Sequence, residues 1–442
     1  MTTLSRLLNL AALPAADIPE SARTMARFSL FDWMVCGRAG LGEPLACILR
    51  DYVAAEGGRL IASVIGGGQG PARAAALVNG ATSHALDYDD THFGHVGHPS
   101  VGIYPAALAV GEEMGASAAE VADAFLIGAE ASVRVGMVLG ALHYTRGFHQ
   151  TATAGAFGAT IAAGRLYGLN RDQMRVALGL CATRASGLKS QFGTMGKPYN
   201  AGIAASNGVE CAALARAGFT SADDGVMGPQ GFVLTHSDAP SDVGVWDDPP
   251  PGTFLFEDIK YKFHACCHGT HAMIEALAAV KHRHNLTVER VAHIHLRTSP
   301  RWLSVCDIKA PRTGLEVKFS YNWLAGMVLS GIPTSADRIY ADALATDPAL
   351  ARFAEKITVS ADATVTDMQA VGAVTLTDGS ALPFAHDLAA RLATDVLETS
   401  LRAKAVGLLG AEAATLWQTV ADLDHRTAAD LGRGLQGGLR AA

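Results

Sequence analysis

The sequence predicts a mainly α fold with a smaller α+β domain. From about residue 21 to residue 237, apolar side chains recur at spacings of mostly three and four, which is typical of packed helices. A polar stretch with three consecutive prolines follows at 234–252 and indicates an exposed connector. After it, apolar and polar residues alternate over Val291–Thr298, which predicts a half-buried strand and therefore a change of architecture.

Several helix starts in the first region can be located. Apolar residues repeat from Ala22 onward, just after Pro19, a residue that favours the first turn of a helix. Ser117 and Glu120 have the spacing of a capping box, and Asn170 with Gln173 forms a weaker one. We therefore expect helices to begin near these three positions.

The second region mixes strands and helices. Strands are predicted at 357–359 and 371–377, and Asp378-Gly379 after the latter is a strong hairpin signal. Helical patterns lie at 273–280 and 335–344. The last 50 or so residues return to helix, and from the pattern alone they either complete this region or pack back on the first.

Composition excludes several classes of function. The 442 residues include 35 basic and 42 acidic side chains, a formal charge of −7, without a basic cluster that could follow a phosphate backbone, so no nucleic acid partner is expected. The N-terminus lacks the roughly 20 apolar residues of a membrane span, so we expect a cytoplasmic protein without a membrane partner. Seven cysteines, odd in number, predict no disulfide framework.

The densest polar segment is 84–98, HALDYDDTHFGHVGH. One interpretation is a loop that lines a pocket for an anionic substrate, with Asp87 orienting a His or Lys; the other is a polar interhelix loop. His92, His95 and His98 are spaced by three, as metal ligands on a helix could be. Glycines and Pro99 in this stretch disfavour a regular helix, and HExxH is absent, so we expect no metal.

Three further clusters could carry chemistry. Tyr144, Arg146 and His149 precede a small-residue helix, where a helix N-terminus and a guanidinium would hold a carboxylate; the alternative is a helix cap with a surface arginine. Lys197 stands among small residues, where burial would lower its pKa, although a lone lysine is more often solvated. The segment HACCHGTH at 264–271 suggests buried thiols, with histidines facing a cleft, rather than a zinc or redox site.

These clusters resemble segments of the MmgE/PrpD family, which includes 2-methylcitrate dehydratase, cis-aconitate decarboxylase and iminodisuccinate epimerase. The resembling segments run in order along the chain: NGATSHALDYDDTH, HPS, RGFHQTATAGAFGA, KPYNAGIAASNGVECAALARAGFT and YKFHACCHGTHAMIEAL. The resemblance implies a large all-helical domain from residues 1–265 and 396–442, and a smaller α/β lid domain at 266–395. It also implies a homodimer and an active site that needs no metal or other cofactor.

By residue, the resemblance assigns Asp87, Thr91, His98, His149 and Lys197 to the pocket. From the lid domain it adds the stretch from Cys267 to His271, and we include His268 and His271 as substrate-binding candidates. Asn200 departs from the family pattern, in which many members carry His, and hints at a different substrate.

The shared chemistry of the family is removal of a proton beside a carboxylate. We expect Lys197, Arg146, His98 and Thr91 to meet the resulting negative charge. Lys197, Tyr144 and His149 would act as acid and base, supported by Asp87.

Chain length, Tyr144 and Asn200 favour an epimerase of an iminodisuccinate-like amino polycarboxylate. The alternatives are a lyase of 2-methylcitrate, citrate or cis-aconitate, and a non-catalytic protein that only binds a small polycarboxylate.

Overall fold

The computed structural model describes residues 2–240, 245–246 and 252–437. The chain forms two compact units, Met1–Tyr261 with Leu409–Ala442, and Lys262–Leu408. The predicted boundaries lie at 265/266 and 395/396. The main difference is the helix Thr394–Leu409, which falls in the second unit except for Leu409. The predicted connector at 234–252 lies partly outside the described residues.

The first unit is helical apart from a two-stranded hairpin. Its first ten helices and the two short strands have these bounds: α1 Thr3–Ala11, α2 Glu20–Ala39, α3 Pro44–Glu56, β1 Ala62–Ser63, β2 Gln69–Gly70, α4 Ala72–Ser83, α5 Pro99–Met114, α6 Ala118–Arg146, α7 Gln150–Leu166, α8 Arg171–Arg184, α9 Gly196–Arg216 and α10 Phe232–His236. The predicted caps are confirmed, since Ser117 and Asn170 each accept a hydrogen bond from the backbone N–H three residues later, with the reciprocal bond also present.

Small residues allow the central helices of this unit to pack closely. A Cβ on Gly128 of α6 or Gly158 of α7 would collide with the carbonyl oxygen of the other glycine. A Cβ on Gly80 of α4 would lie 2.9 Å from the Cα of Gly202 in α9, and a Cβ on Gly202 would collide with the Leu77 carbonyl oxygen of α4. Helix α6 is long and apolar enough to cross a membrane, but 78% of its most apolar window is buried inside the protein, as expected of a core helix.

The second unit contains a four-stranded sheet and several helices. In chain order these are α11 His271–His284, β3 Val291–Thr298, α12 Pro300–Cys306, α13 Gly314–Val317, α14 Tyr321–Ser330, α15 Asp342–Ala345, α16 Pro348–Ala354, β4 Ile357–Ala361, β5 Gln369–Leu376, β6 Ala381–Asp387 and α17 Thr394–Leu409. The strand order is β4-β3-β5-β6, with β3 parallel to β4 and antiparallel to β5. The predicted hairpin is confirmed as the antiparallel β5–β6 pair.

Two helices follow the second unit, α18 Glu412–Ala421 and α19 Ala428–Leu435. The predicted fold class, mainly α with a smaller α+β part, is confirmed. The predicted helix at 335–344 is wrong in extent, because Ala341 is extended between two short helical pieces. The buried Tyr340 donates a hydrogen bond to the Thr334 carbonyl, which holds the chain out of a continuous helix.

Candidate active site

Three helices of the first unit begin at the residues that the sequence singles out. Helix α5 starts immediately after His98, α7 starts after His149, and Lys197 lies in the first turn of α9. The backbone N–H of His98 donates to Thr151 Oγ1 in the first turn of α7 at 3.0 Å, so the starts of α5 and α7 adjoin. Helix N-termini carry partial positive charge, which favours an anion at this place.

Asp89 is the most deeply buried charged group here. It is fully buried, and its two oxygens lie 2.8 Å from His84 Nδ1 and 2.9 Å from His98 Nδ1. Burial by itself raises the pKa of Asp89, but the charges and hydrogen bonds of His84 and His98 outweigh burial and hold this pKa well below its usual range. Asp89 is therefore an ionised carboxylate that accepts a hydrogen bond from His84 and pairs with His98.

A second carboxylate, Asp87, connects His98 to Lys197. Asp87 Oδ2 lies 2.5 Å from Lys197 Nζ, and Asp87 Oδ1 lies 3.6 Å from His98 Nε2. Both ring nitrogens of His98 thus face carboxylate oxygens. Asp87 has a φ of 52°, in the left-handed region that aspartate tolerates better than most residues.

We call His84, Asp87, Asp89, His98 and Lys197 the acid–imidazole cluster. Its two carboxylates face one ammonium and two imidazoles. Lys197 and Asp87 are partly open to solvent, with side-chain exposures of 17% and 34%, whereas His84 and Asp89 are closed off. A ligand would therefore meet the Lys197–Asp87 pair first.

His149 lies beside this cluster and is electrically different from His98. Burial lowers the pKa of His149 well below its usual range, and the nearby charges of His84, Lys197 and His98 lower it further. Asn200 Nδ2 lies 3.2 Å from His149 Nδ1. His149 is consequently a neutral imidazole at neutral pH.

An aromatic side chain on the segment between α8 and α9 covers these groups. The ring of Phe192 meets the ring of His149 edge-on at 5.0 Å between centroids, and Lys197 Nζ lies 5.3 Å from the Phe192 centroid. Phe192 is nevertheless 37% exposed. It shields one side of the site without closing it.

Two family models match most of this chain. The MmgE/PrpD N-terminal domain matches residues 9–242, and the MmgE/PrpD C-terminal domain matches residues 264–392. The chain belongs to the MmgE/PrpD family. The predicted family resemblance is confirmed.

Curated relatives in this MmgE/PrpD family are named for one activity. The chain is 31% identical over 323 residues to the cis-aconitate decarboxylase of Aspergillus terreus, an alignment that covers 66% of this chain and 64% of that protein. It is 28% identical over 234 residues to the mouse cis-aconitate decarboxylase, covering 50% of this chain and 46% of the mouse protein. The chain thus spans less than two thirds of the relatives' length.

Of the predicted MmgE/PrpD site residues, the structure brings together Asp87, His98, His149 and Lys197. Thr91 is placed by a two-way backbone pairing with Lys260, at 2.8 Å in each direction. Its buried Oγ1 has no hydrogen-bond partner within the described part of the chain. The chemical roles of all these residues stay predictions.

The contacts of Tyr144 and Arg146 lie elsewhere. The exposed Arg146 guanidinium pairs with Asp238, so it is occupied by a surface carboxylate. The Tyr144 ring lies against Lys189, whose Nζ is 3.6 Å from the ring centroid and donates to the Tyr144 carbonyl at 3.1 Å. Their predicted roles, as substrate ligand and second base, receive no support from these contacts.

His268 and His271 form a separate group in the second unit. The rings of His268 and His271 have centroids 4.6 Å apart, and the His264 ring lies 4.9 Å from that of His271. Burial lowers the pKa of His271 well below its usual range, and the charges of neighbouring histidines and Lys262 add to this. Burial also raises the pKa of the Cys266 thiol to about 12, which makes that thiol unreactive.

The predicted metal spacing of His92, His95 and His98 is not used in the way a metal site requires. His92 Nε2 donates to the Leu255 carbonyl at 2.9 Å, and its Nδ1 accepts from the His95 backbone at 3.0 Å. His84, Asp87, Asp89 and His98 instead offer donor atoms that all lie within 4.8 Å of one another, a composition that could hold a cation. Lys197 supplies a positive charge to the same carboxylates.

Two members of the cluster, His84 and Asp89, were not among the residues predicted from the sequence. Both belong to the segment 84–98, and the density of ionisable residues there was the available signal. The pairing His84–Asp89 requires the chain to turn back directly after α4, and no local pattern specifies that turn.

Proposed function

We propose that this chain is a lyase that removes CO2 from a small unsaturated tricarboxylate of the cis-aconitate kind. The supporting observation is the Lys197–Asp87 ion pair beside the neutral His149, at the place where α5, α7 and α9 begin. The names of the relatives favour decarboxylation over the other family reactions.

The chemistry needs one proton and a stabilised anion. In such a substrate the bond to the departing CO2 breaks, and its electron pair forms a new C=C bond. The original π pair moves to the carbon beside another carboxylate, and one proton is added there. One proton enters and one CO2 leaves, so atoms and charge balance.

The acid–imidazole cluster and His149 offer groups that could supply the proton and stabilise the anion. Helix N-termini and His98 favour binding of the substrate carboxylates. Lys197, held by Asp87 and open to solvent, is the proposed proton donor to the new C–H bond. Neutral His149 would donate a hydrogen bond to the charge that develops on the carboxylate oxygen.

The test is turnover of cis-aconitate by the purified full chain in deuterated water. We expect trapped CO2 and one deuteron in each product molecule, observed by proton NMR. Lys197→Met should lower turnover by about 10²-fold or more. Lys189→Met is the matched control, because Lys189 lies on the adjoining segment and contacts Tyr144 rather than Asp87.

Other outcomes separate the remaining candidates. Addition of water to cis-aconitate, or a new double bond from citrate or 2-methylcitrate, would make the chain a dehydratase. Deuterium exchange at the α-carbon of an iminodisuccinate-like compound, without net loss of CO2, would support the predicted epimerase. Binding without turnover would support a carrier. The homodimer is likewise a proposal, and light scattering of the purified chain tests it.

A further inference from the structure

The side chain of Asn200 is fixed in one orientation. Its Nδ2 lies 3.2 Å from His149 Nδ1 and 3.3 Å from the Leu188 carbonyl oxygen, and Asn200 is 4% exposed. A carbonyl oxygen can only accept, so the amide group must present its NH2 to Leu188. The flipped amide would place two acceptor oxygens against each other.

That orientation determines where the proton on His149 lies. The second N–H of the Asn200 amide points at His149 Nδ1, so Nδ1 must offer a lone pair. An imidazolium has no such lone pair, and the Nδ1–H tautomer would place two donors together. His149 is therefore neutral, and its proton is on Nε2.

The backbone around His149 is held by the same segment. The His149 N–H donates to the Gly187 carbonyl at 3.0 Å, and the Lys189 N–H donates to the Gly147 carbonyl at 2.8 Å. A Cβ at position 187 would collide with Ala152 Cβ, so only glycine allows this close approach. The backbone that carries the His149 ring is thus fixed, and rotation of the imidazole away from Asn200 would break the Asn200–His149 hydrogen bond.

We propose that Asn200 is a positioning residue that keeps His149 as the neutral Nε2–H tautomer. In this form His149 is a hydrogen-bond donor toward an anion and cannot accept a proton at Nε2. For the proposed decarboxylation, on which this catalytic half of the inference rests, His149 then stabilises charge, and Lys197 handles the proton. The departure from histidine at position 200 thereby sets the role of His149.

The tautomer can be measured without any substrate. Long-range proton–nitrogen NMR distinguishes Nδ1–H, Nε2–H and doubly protonated histidines. The protein contains its own standards: His143 Nδ1 faces the His236 carbonyl at 2.8 Å and must carry its proton on Nδ1, whereas His92 Nε2 donates to the Leu255 carbonyl. We expect His149 to show the pattern of His92 at pH 7.

The Asn200→Asp variant replaces the hydrogen-bond donor that faces His149 Nδ1 by an acceptor. A carboxylate accepts, so His149 should turn to the Nδ1–H or doubly protonated form. The groups that set the His149 charge from its surroundings, His84, Lys197, His98 and Asp87, are unchanged in this variant. Turnover should fall by about 10²-fold, and the pH profile should gain an ionisation that the wild type lacks.

Asn207→Asp is the matched control. Asn207 lies on the same helix with the same 4% exposure, and its Nδ2 donates to the Arg184 carbonyl at 2.8 Å without contacting a histidine. This variant should leave the His149 spectrum as in the wild type.

The outcomes distinguish this inference from the proposed function. An Nδ1–H or doubly protonated His149 in the wild type at pH 7 overturns the inference, even if Asn200→Asp does not fold. An unchanged His149 spectrum in a folded Asn200→Asp protein overturns it as well. An Nε2–H His149 in a protein that releases no CO2 would instead refute the proposed function and leave the inference standing.

Discussion

Replacing Asp89 by Asn should destabilise the first unit strongly, whereas the same change at the next residue, Asp90, should not. Both side chains are fully buried, so both carboxylates lose their hydration on folding. They differ in the groups that they contact. Asp89 accepts a hydrogen bond from the His84 imidazole and pairs with the His98 imidazole. Asp90 accepts from Ser100 Oγ at 2.5 Å and Ser29 Oγ at 3.1 Å, which are neutral donors.

Burial raises the pKa of Asp90 to about 7, with the neighbouring charges of Asp32 and Asp89 adding to the effect of burial. A carboxyl group whose pKa is raised on folding stabilises the fold below its unfolded value, and this advantage is lost as pH rises through the folded value. Between about pH 4 and pH 7 the shift corresponds to about 4 kcal/mol in the free energy of unfolding. Asn at position 90 has no ionisation and avoids this loss.

The contribution of Asp89 to stability depends on pH in the opposite direction. Its pKa is depressed, so its contribution is present above the unfolded value near pH 4 and lost as pH falls through the folded value. Removing one partner of a buried ion pair costs roughly 3–5 kcal/mol. Asp89→Asn should therefore lose stability of that order from pH 5 to 8, and the deficit should shrink below about pH 4.

The measurement is denaturant unfolding of wild type, Asp89→Asn and Asp90→Asn from about pH 3 to pH 8, which covers both pKa directions. Hydrogen exchange in peptides of α2 and α5 isolates the first unit. The wild type should lose stability relative to Asp90→Asn as pH rises. Equal stability of the two variants at pH 7, or a difference between wild type and Asp90→Asn that is flat with pH, would refute this account of the two carboxylates.

Three further predictions concern the surroundings of the cluster. Gly187→Ala should lower the midpoint of unfolding and slow turnover, since overpacking against Ala152 costs roughly 1–3 kcal/mol; a variant as stable and active as wild type would contradict the close approach. Added Zn²⁺ should inhibit by competing with Lys197 for the carboxylates, and chelator should restore the rate; inhibition that persists in His98→Ala would locate zinc elsewhere. Phe192→Leu removes a cation–π contact worth about 0.5–1 kcal/mol at an exposed site and should change kcat/KM by two- to fivefold, and no change would mean that Phe192 does not shield the site.

Much of the helical unit follows from local sequence. The capping boxes at Ser117 and Asn170 mark helix starts because their hydrogen bonds join residues three apart. The same locality explains why Asp87, His98, His149 and Lys197 could be proposed as a set only through the family resemblance. They lie on three stretches of chain, 84–98, 144–151 and 196–202, and tertiary packing alone brings these stretches together.

Two predicted residues show what local patterns cannot specify. Tyr144 and Arg146 follow Gly140, which has a φ of 74° and breaks the regular conformation of α6. After such a break the helical period no longer tells which side of the chain faces the interior, so their closeness to His149 in sequence carries no information about contact. Asp89 is the opposite case, a contact without a local sequence signal. Only a turn of the chain brings its partner His98 close to it.

Net charge is a poor guide to the ligand of this protein. The chain carries −7 overall, so attraction of a polycarboxylate cannot come from bulk charge. It must come from exchange of partners: a substrate carboxylate that binds the Lys197 ammonium takes it from Asp87, whose Oδ1 lies 3.6 Å from His98 Nε2. Loss of this ammonium favours the protonated form of Asp87. Protonation of Asp87 would thus change the charge of the site when a substrate binds Lys197. Substrate binding should therefore be accompanied by proton uptake.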